Sequence, residues 1–415
     1  MKVQSISHSN EIEHTCEPFQ LVRANSDSDD SCWGVCTFHT LEQIRTLQAI
    51  WQTLKNESGH RTDIEAEFNR YVSLAESLPD HEPYALLLLK EGKPHAMLVG
   101  ILGFVEIPCK FGYLEVLKPS LKGITVTYGG YLGDLGEETC RKLVGHLYAS
   151  TCRKQADVVI FRQLPLDSPL YSVFRKQIPA LCRNHFLKID GHWQMSIPDQ
   201  TDAFYAYHSS KTRQTLRRQV RQIKSKFQVR LAECTDAGSM PEILSHAAAI
   251  SSRTYQHGLG CGLIDDAPTR KQLTTAAENG WLQLHVLYLN NEPCAFQFGL
   301  RYEGRYFLQQ MGFNPDLKQW HAGTVLFLKV LERLCEDPEV NCFDFGFGDA
   351  EYKKRFGTNY WEESTLYLYA PRVYPVFVNM LHATVSGLSE GMRFLAQKTG
   401  IEGKIKRKWR NLLQK

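Results

Sequence analysis

The chain has 415 residues, 43% of them hydrophobic and 22% charged, with a formal net charge of +3. That length exceeds what one small core needs and points to two domains of about 150–200 residues each. The nearly balanced charge excludes nucleic-acid binding by bulk electrostatics, so any such contact would have to come from a local patch. The 12 cysteines are scattered without zinc spacing and read as reduced thiols rather than a secreted disulfide framework. Apolar runs such as YALLLL at 84–89 fall far short of the roughly 20 residues of a membrane span.

Residues 1–32 are polar, end in NSDSDDS and predict an irregular tail with no apolar core for a signal peptide. From 38 to 78 the spacing of Leu41, Ile44, Leu47, Ile50, Trp51 and Leu54, then of Phe68, Tyr71, Val72 and Leu74, predicts two helices, the second closed by Pro79. YALLLLKEGKPHAMLVGILG (84–103) reads as two strands around a turn at Lys90–Pro94, and LHVLYLNNEPCAFQFGLRY (284–302) as two more around Asn290–Pro293. The two hairpins share Pro94, Ala96 and Gly100 against Pro293, Ala295 and Gly299. Each precedes a further strand with a Gly-aromatic end, YGGYLGD (128–134) or QMGFNPD (310–316), then a helix at 137–155 or 323–336 and a buried strand at 157–161 or 341–345. An internal duplication is the reading, the first copy carrying an extra segment around 104–121.

Between the copies, SSKTRQTLRRQVRQIKSKF (209–227) predicts a helix with an apolar stripe of Leu216, Val220 and Ile223 and seven basic residues without an acid. A solvated face or a phosphate contact would both fit it. A helix at 241–257 precedes a glycine-rich loop at 258–262, where His257 could be a base, a lid residue or simply structural. After Pro371 the pattern is helical again and ends in KIKRKWRNLLQK, a basic tail that could be solvated or lie on anionic lipid.

DFGFGDAEYKKRFG (344–357) is the most pointed stretch. A kinase would also need an upstream glycine-rich loop, a strand lysine and a His-Arg-Asp loop, and none is present. The stretch fits a strand end instead. Gly346 and Gly348 permit a tight turn, and Asp349 stands where a short helix begins, with Tyr352, Lys353 and Phe356 following at helical spacing. Asp349 could equally be an N-cap. Upstream, LKQWHAGTVLFLKVLERLCE (317–336) brings a glycine-entered helix whose free N–H groups would suit a pyrophosphate.

The order of elements resembles the GNAT acyltransferase fold. The second copy resembles the acyltransferase family typified by the bacterial cellulose-synthesis protein CelD, related to the Fem-type peptidoglycan aminoacyl transferases. The resemblance rests on SSKTRQTLRRQVRQI, on EPCAFQFGLRYEGRYFLQQMGFNPDLKQWHAGTVLFLKVLE and above all on FDFGFGDAEYKKRFG, whose family counterpart is Asp-Phe-Gly-x-Gly-Asp-x-x-Tyr-Lys-x-x-Phe. It is strong over 200–365 and fainter over 36–195.

It implies an α/β fold of tandem GNAT-like domains, each a mixed central sheet flanked by helices, the first copy degenerate. The expected division is a tail at 1–32, a first GNAT-like domain at 33–200, a second at 201–370 and a C-terminal helix with its basic tail at 371–415. The implied activity is acyl transfer from a thioester co-substrate, acyl-CoA, to an amine or hydroxyl, with no metal. Donor phosphates would meet Gln319, His321, Gly323 and Thr324, and Arg213 and Arg217 would bind substrate. The loop departs from the usual Arg/Gln-x-x-Gly-x-Gly/Ala spacing, which fits Fem-type relatives that use aminoacyl-tRNA. Asp349 is the expected base, with Asp344 second. Lys353 would offset negative charge, and Tyr352 would protonate the leaving thiolate or merely pack. The acceptor would be a small molecule, a sugar or a lipid-linked intermediate of surface-polysaccharide assembly. The expected setting is the cytoplasm, at the inner face of the membrane if the basic tail makes peripheral contact. DNA is not an expected partner, and tRNA enters only under the aminoacyl alternative. A non-catalytic binding module is the third reading.

Overall fold

A computed structural model describes residues 32–58, 63–112, 114–258, 260–348 and 350–398. The expected N-terminal tail (apart from Cys32), the basic segment after 398 and Asp349 lie outside the described residues. The first copy runs through β1 (Trp33–Phe38), α1 (Leu41–Thr46), α2 (Gln48–Glu57), α3 (Phe68–Glu76), β2 (Glu82–Lys90), β3 (Lys93–Glu106), β4 (Cys109–Phe111), β5 (Leu114–Leu117), β6 (Ser120–Gly133), α4 (Glu137–Cys152), β7 (Val158–Pro165), α5 (Pro169–Gln177) and β8 (Ile189–Ser196). The second runs through α6 (Thr201–Ala206), α7 (Ser210–Lys226), β9 (Val229–Cys234), α8 (Met240–Ser251), α9 (Tyr255–Gly258), α10 (Ala267–Glu278), β10 (Leu282–Leu289), β11 (Glu292–Tyr302), β12 (Arg305–Phe313), α11 (Ala322–Glu336), β13 (Cys342–Phe347), α12 (Glu351–Phe356) and β14 (Asn359–Tyr369), and α13 (Val373–Lys398) follows. Side-chain caps start several helices where the sequence offers them. Thr40 and Gln43 form a capping box, and Ser209 and Asp266 accept from Thr212 N and Thr269 N.

The fold is mixed α/β with two GNAT-like copies, yet the copies do not close separately. Among the described residues, twelve strands form one sheet in the order β1-β2-β3-β6-β7-β14-β8-β13-β12-β11-β10-β9. Each copy supplies an antiparallel run followed by one parallel pair, β6 with β7 and β12 with β13. The last strand of each copy then crosses over. β8 pairs with β13 of the second copy, β14 pairs with β7 of the first, and β8 and β14 pair with each other. The sequence division near residue 200 therefore separates the repeats in order but not in space. The extra segment of the first copy is a β4–β5 hairpin outside the main sheet.

The repeated glycines have a steric cause. Gly100 and Gly299 stand at matching register shifts, between Leu98 and Gly100 on β3 and between Phe298 and Gly299 on β11. A Cβ on Gly100 would meet the Thr125 carbonyl oxygen at 2.5 Å, and one on Gly299 would run into the Tyr306 ring. In the first copy, Tyr71 exploits the close approach by donating to Gly100 O at 2.7 Å while accepting from Tyr84 N at 3.0 Å.

Helices cover both faces. In the second copy α7 and α11 pack over a core containing Tyr306, Phe343 and Phe345, while α8 and α10 cover the opposite face over Phe296, Phe298 and Phe307. Ile64, from a 3₁₀ turn (Ile64–Ala66) of the first copy, is buried in that second cluster. Between α3 and α10, Ser73 and Thr275 lie 3.0 Å apart, and Lys271 meets Glu76 at 2.9 Å. No helix among the described residues is long and apolar enough to cross a membrane.

Candidate active site

β12 and β13 are paired only through Arg305–Cys342, Tyr306–Phe343 and Phe307–Asp344. Beyond that apex they part, leaving a V-shaped opening. One arm, β12 from Leu308 to Phe313, leads through a 3₁₀ turn at Pro315–Trp320 to the N-terminus of α11. The other arm, the end of β13, leads through a turn at Gly346 and Gly348 to α12. Both glycines have positive φ, 66° and 99°, which only glycine adopts without steric cost. On β12 the ladder to β11 skips Gln309, a bulge beside the opening.

Asp344 sits at the apex. Its neighbours Phe343 and Phe345 are in the α7–α11 core, so alternation turns Asp344 to the opposite face. There it is buried and fully engaged: His192 Nε2 donates to Oδ1 at 2.8 Å, Gly346 N to Oδ1 at 2.7 Å, and Gln194 Nε2 to Oδ2 at 2.7 Å. His192 Nδ1 lies 3.2 Å from Glu363 Oε1. Tyr128 donates to the same oxygen at 3.0 Å and Trp361 at 2.7 Å, and the Trp361 ring stacks on His192 with centroids 4.2 Å apart. The cluster draws on β6, β8, β13 and β14, and strand exchange alone brings these together.

Its electrostatics are strongly coupled. Burial alone would lower the His192 pKa, but the hydrogen bonds its ring donates to Asp344 and Glu363 and the charges of those groups win, and it is pushed up to about 9. His192 is thus an imidazolium between two carboxylates at neutral pH. Burial alone would raise Asp344, but His192, Gln194 and the Gly346 N–H hold its carboxyl below the usual range. Asp63, ahead of the Ile64–Ala66 turn, is pushed up to about 7 by burial and by Glu65, with Asp344 adding to the rise. Glu65 pairs with Arg70 at 2.5 Å. Arg70 in turn lines an open cleft with Leu263, Ile264, Gln272, Gln309 and Gln310.

Of the residues singled out in the sequence, Gln319, His321, Gly323, Thr324, Tyr352 and Lys353 stand on the elements that the two arms of the V lead into. Gln319 and His321 are exposed, on the 3₁₀ turn and at the α11 N-cap, where His321 is left-handed (φ 53°). Gly323 and Thr324 are in the first turn of α11, whose N–H groups have no intrahelical acceptor. Arg213 and Arg217 are on α7, which packs on α11 and on the 3₁₀ turn before it. Arg217 is exposed, 3.5 Å from Asp202 and stacked over Tyr205. Lys353 is buried and donates to the carbonyls of Gly346 at 3.2 Å and Phe347 at 2.5 Å, so it braces the turn. Tyr352 packs against Phe345. The short helix begins at Glu351 with Ala350 as its N-cap, one residue later than the sequence suggested. His257 is exposed. Sequence reasoning missed Asp63, Tyr128, His192, Gln194, Trp361 and Glu363. The polar residues of GHWQMS and WEEST stood out only as polar letters in apolar strands, and their partners are more than 100 residues away in several cases.

A V-shaped parting of parallel strands beside a glycine-entered helix, repeated in a duplicated α/β sheet, defines the class. Residues 210–354 match the model of the acetyltransferase (GNAT) domain, and this part of the chain is a GNAT-type acyltransferase domain. No curated protein matches the chain. Among solved structures, FemX aligns at 10% identity and a TM-score of 0.53, covering 80% of this chain and 97% of that one. A tandem GNAT protein from the clavulanic acid biosynthesis pathway aligns at 11% identity and a TM-score of 0.49, covering 82% and 99%. The C-terminal domain of a putative lysylphosphatidylglycerol synthetase from Agrobacterium fabrum aligns at 13% identity and 0.49, covering 83% and 97%. The likeness to FemX is one of fold.

Proposed function

We propose that the protein moves an acyl group from a CoA thioester to an amine or hydroxyl of a small-molecule, sugar or lipid-linked acceptor, with the donor held between β12 and β13. The observation that carries this reading is the parting of the two strands after Phe307 and Asp344, beside a helix start free of acidic residues. The donor phosphates sit at Gln319, His321, Gly323 and Thr324, where the helix dipole and free N–H groups favour negative charge. The first copy offers the same topology but the wrong charge. Its α4 starts with Glu137 and Glu138 after Gly136, which repel a pyrophosphate.

The acceptor enters by the cleft bordered by Arg70, Gln309 and Gln310. Its proton passes to Asp349, and the freed lone pair attacks the thioester carbonyl. Backbone N–H groups on the open edge of β12 polarise that carbonyl, each well-placed donor being worth about 3 kcal/mol. The C–S bond breaks and the thiolate takes a proton from Tyr352. Asp344 and Lys353 are positioning residues in this scheme: the first fixes His192 and the Gly346 turn, the second the carbonyls of that turn. A setting in surface-polysaccharide assembly, with the basic tail touching the membrane, is compatible with a lipid-linked acceptor.

A second reading has its own observation. α7 exposes Lys211, Arg217, Arg218, Arg221 and Lys224 next to the α11 entrance. That surface suits the 3′-phosphate of CoA and equally an aminoacyl-tRNA. The test is thermal stability against free CoA, a series of acyl-CoAs and aminoacyl-tRNA. A ligand at a hundred times its Kd adds about 2.7 kcal/mol, a shift of a few degrees. A shift with a CoA thioester supports the first reading, and one with aminoacyl-tRNA alone moves the protein to the second. Silence with every donor rejects both.

A further inference from the structure

α13 does not behave like the other helices. Most of them bury their apolar side chains; α13 leaves a row of large ones in solvent. Val373, Tyr374, Phe377, Met380, Leu388 and Met392 are all more than half exposed, Val373 reaching 90%. Their steps of three and four, bridged by the exposed Thr384, put them on one face, a stripe roughly 28 Å long at 1.5 Å per residue. The opposite face is occupied by Pro375, Val378 and Asn379, and Asn379 donates to the Leu181 and Arg183 carbonyls, so the helix is held to the body of the protein in one rotation. Between Val373 and Met392 the helix has one carboxylate, Glu390, and no Lys or Arg.

Neighbouring surface extends the stripe. Gly112, at the tip of the β4–β5 hairpin, donates to Ser389 Oγ at 2.9 Å, and Leu114 and Leu117 of that hairpin are about half exposed. The Phe186 ring, 46% exposed, reaches the helix at Gly387. An apolar patch on this scale is unusual on a monomer's surface. The chain beyond the helix then identifies what covers it. Residues 404–415 carry six basic side chains, no acid and Trp409.

We propose that this face seats the protein on an anionic lipid bilayer, the α13 stripe entering the interface and the basic tail lying on the headgroups. An apolar face followed in the chain by a polybasic segment is the pair of features that stable peripheral binding requires, since either alone binds weakly. A second copy of the chain is the poorer occupant, because its tail would bring a second set of like charges to the same face. The proposal does not depend on which donor or acceptor the active site uses.

Cosedimentation of the full chain with vesicles tests it, comparing phosphatidylcholine containing about a third phosphatidylserine with phosphatidylcholine alone. Binding to the anionic vesicles alone, weakened by salt, is expected. The double variant Phe377→Ser, Leu388→Ser should lower that partitioning about tenfold or more. Because both residues are exposed, its melting temperature should stay that of the parent. Undiminished binding by the double variant overturns the proposal, since the tail would then act alone. Absence of binding to either vesicle overturns it too, as does a concentration-dependent dimer that the double variant abolishes and vesicles do not compete for.

Discussion

Replacing Asp344 by Asn separates the charge of the central cluster from its shape. In the folded protein His192 is pushed from 6.5 to about 9 by Asp344 and Glu363 against the effect of burial. That gap corresponds to about 3 kcal/mol of tighter proton binding in the folded state. The folded pKa is the higher one, so this stabilisation is complete below pH 6.5 and is lost as pH rises through about 9. Asp344 makes the shorter of the two contacts to the imidazole, 2.8 Å against 3.2 Å for Glu363. About half of the 3 kcal/mol or more should therefore disappear with its charge. An Asn must also turn its amide toward one of the three donors that Asp344 accepts, and only Gln194 can flip to meet it. Asp344→Asn should accordingly cost about 2–3 kcal/mol at pH 6.5, somewhat below the range for breaking a buried pair outright, and clearly less at pH 9. Urea unfolding of both proteins at the two pH values measures this. Groups remote from the cluster titrate equally in both and cancel. Asp63, whose carboxyl Asp344 helps to push up, loses part of that rise in the variant, which lowers the cost of the substitution further toward pH 9. If stability falls by the same amount from pH 6.5 to 9 in parent and variant, His192 is not held charged by Asp344 and the account of the cluster is wrong.

Lys353→Met removes a buried ammonium that donates to two carbonyls at the end of β13. It should cost about 1.5–3 kcal/mol, read as a lower melting temperature; an unchanged melt would mean the lysine does not brace the turn. Gly299→Ala and Gly100→Ala should each cost about 1–3 kcal/mol by overpacking, since their Cβ atoms would meet the Tyr306 ring and the Thr125 carbonyl; urea unfolding of either variant at parental stability would refute the steric account of the repeat. Calorimetric titration with the donor should find one site per chain, because Glu137 and Glu138 occupy the α4 entrance, and two equivalent sites would contradict the assignment to the second copy. Arg217→Ala should weaken donor binding severalfold and flatten its salt dependence, and an affinity that does not respond would remove α7 from the binding surface.

Much of the scaffold was legible from spacing alone. The hairpins at 82–106 and 282–302, the helices after them and the buried strands at 158 and 342 follow from patterns that local side chains impose. The glycine pair of the duplication and the Gly346–Gly348 turn were legible for the same reason: backbone sterics act within a few residues. The pieces around 317–324 and 351–353 lie on the two elements that the arms of the opening lead into.

The rest depended on partners remote in the chain. Nothing in the sequence of β8 says that it leaves its own copy to lie between β13 and β14, because a strand's local pattern records which face is buried and not which neighbour it bonds. The cluster of Tyr128, His192, Asp344 and Glu363 exists only through that exchange, so residues that are unremarkable one by one acquire shifted pKa values together. Periodicity determined the elements and the duplication, and the resemblance carried by their order and by the 344–357 motif implied the class of fold. Tertiary structure decided that two copies share one sheet, since edge strands satisfy their hydrogen bonds with whichever partner packing brings alongside.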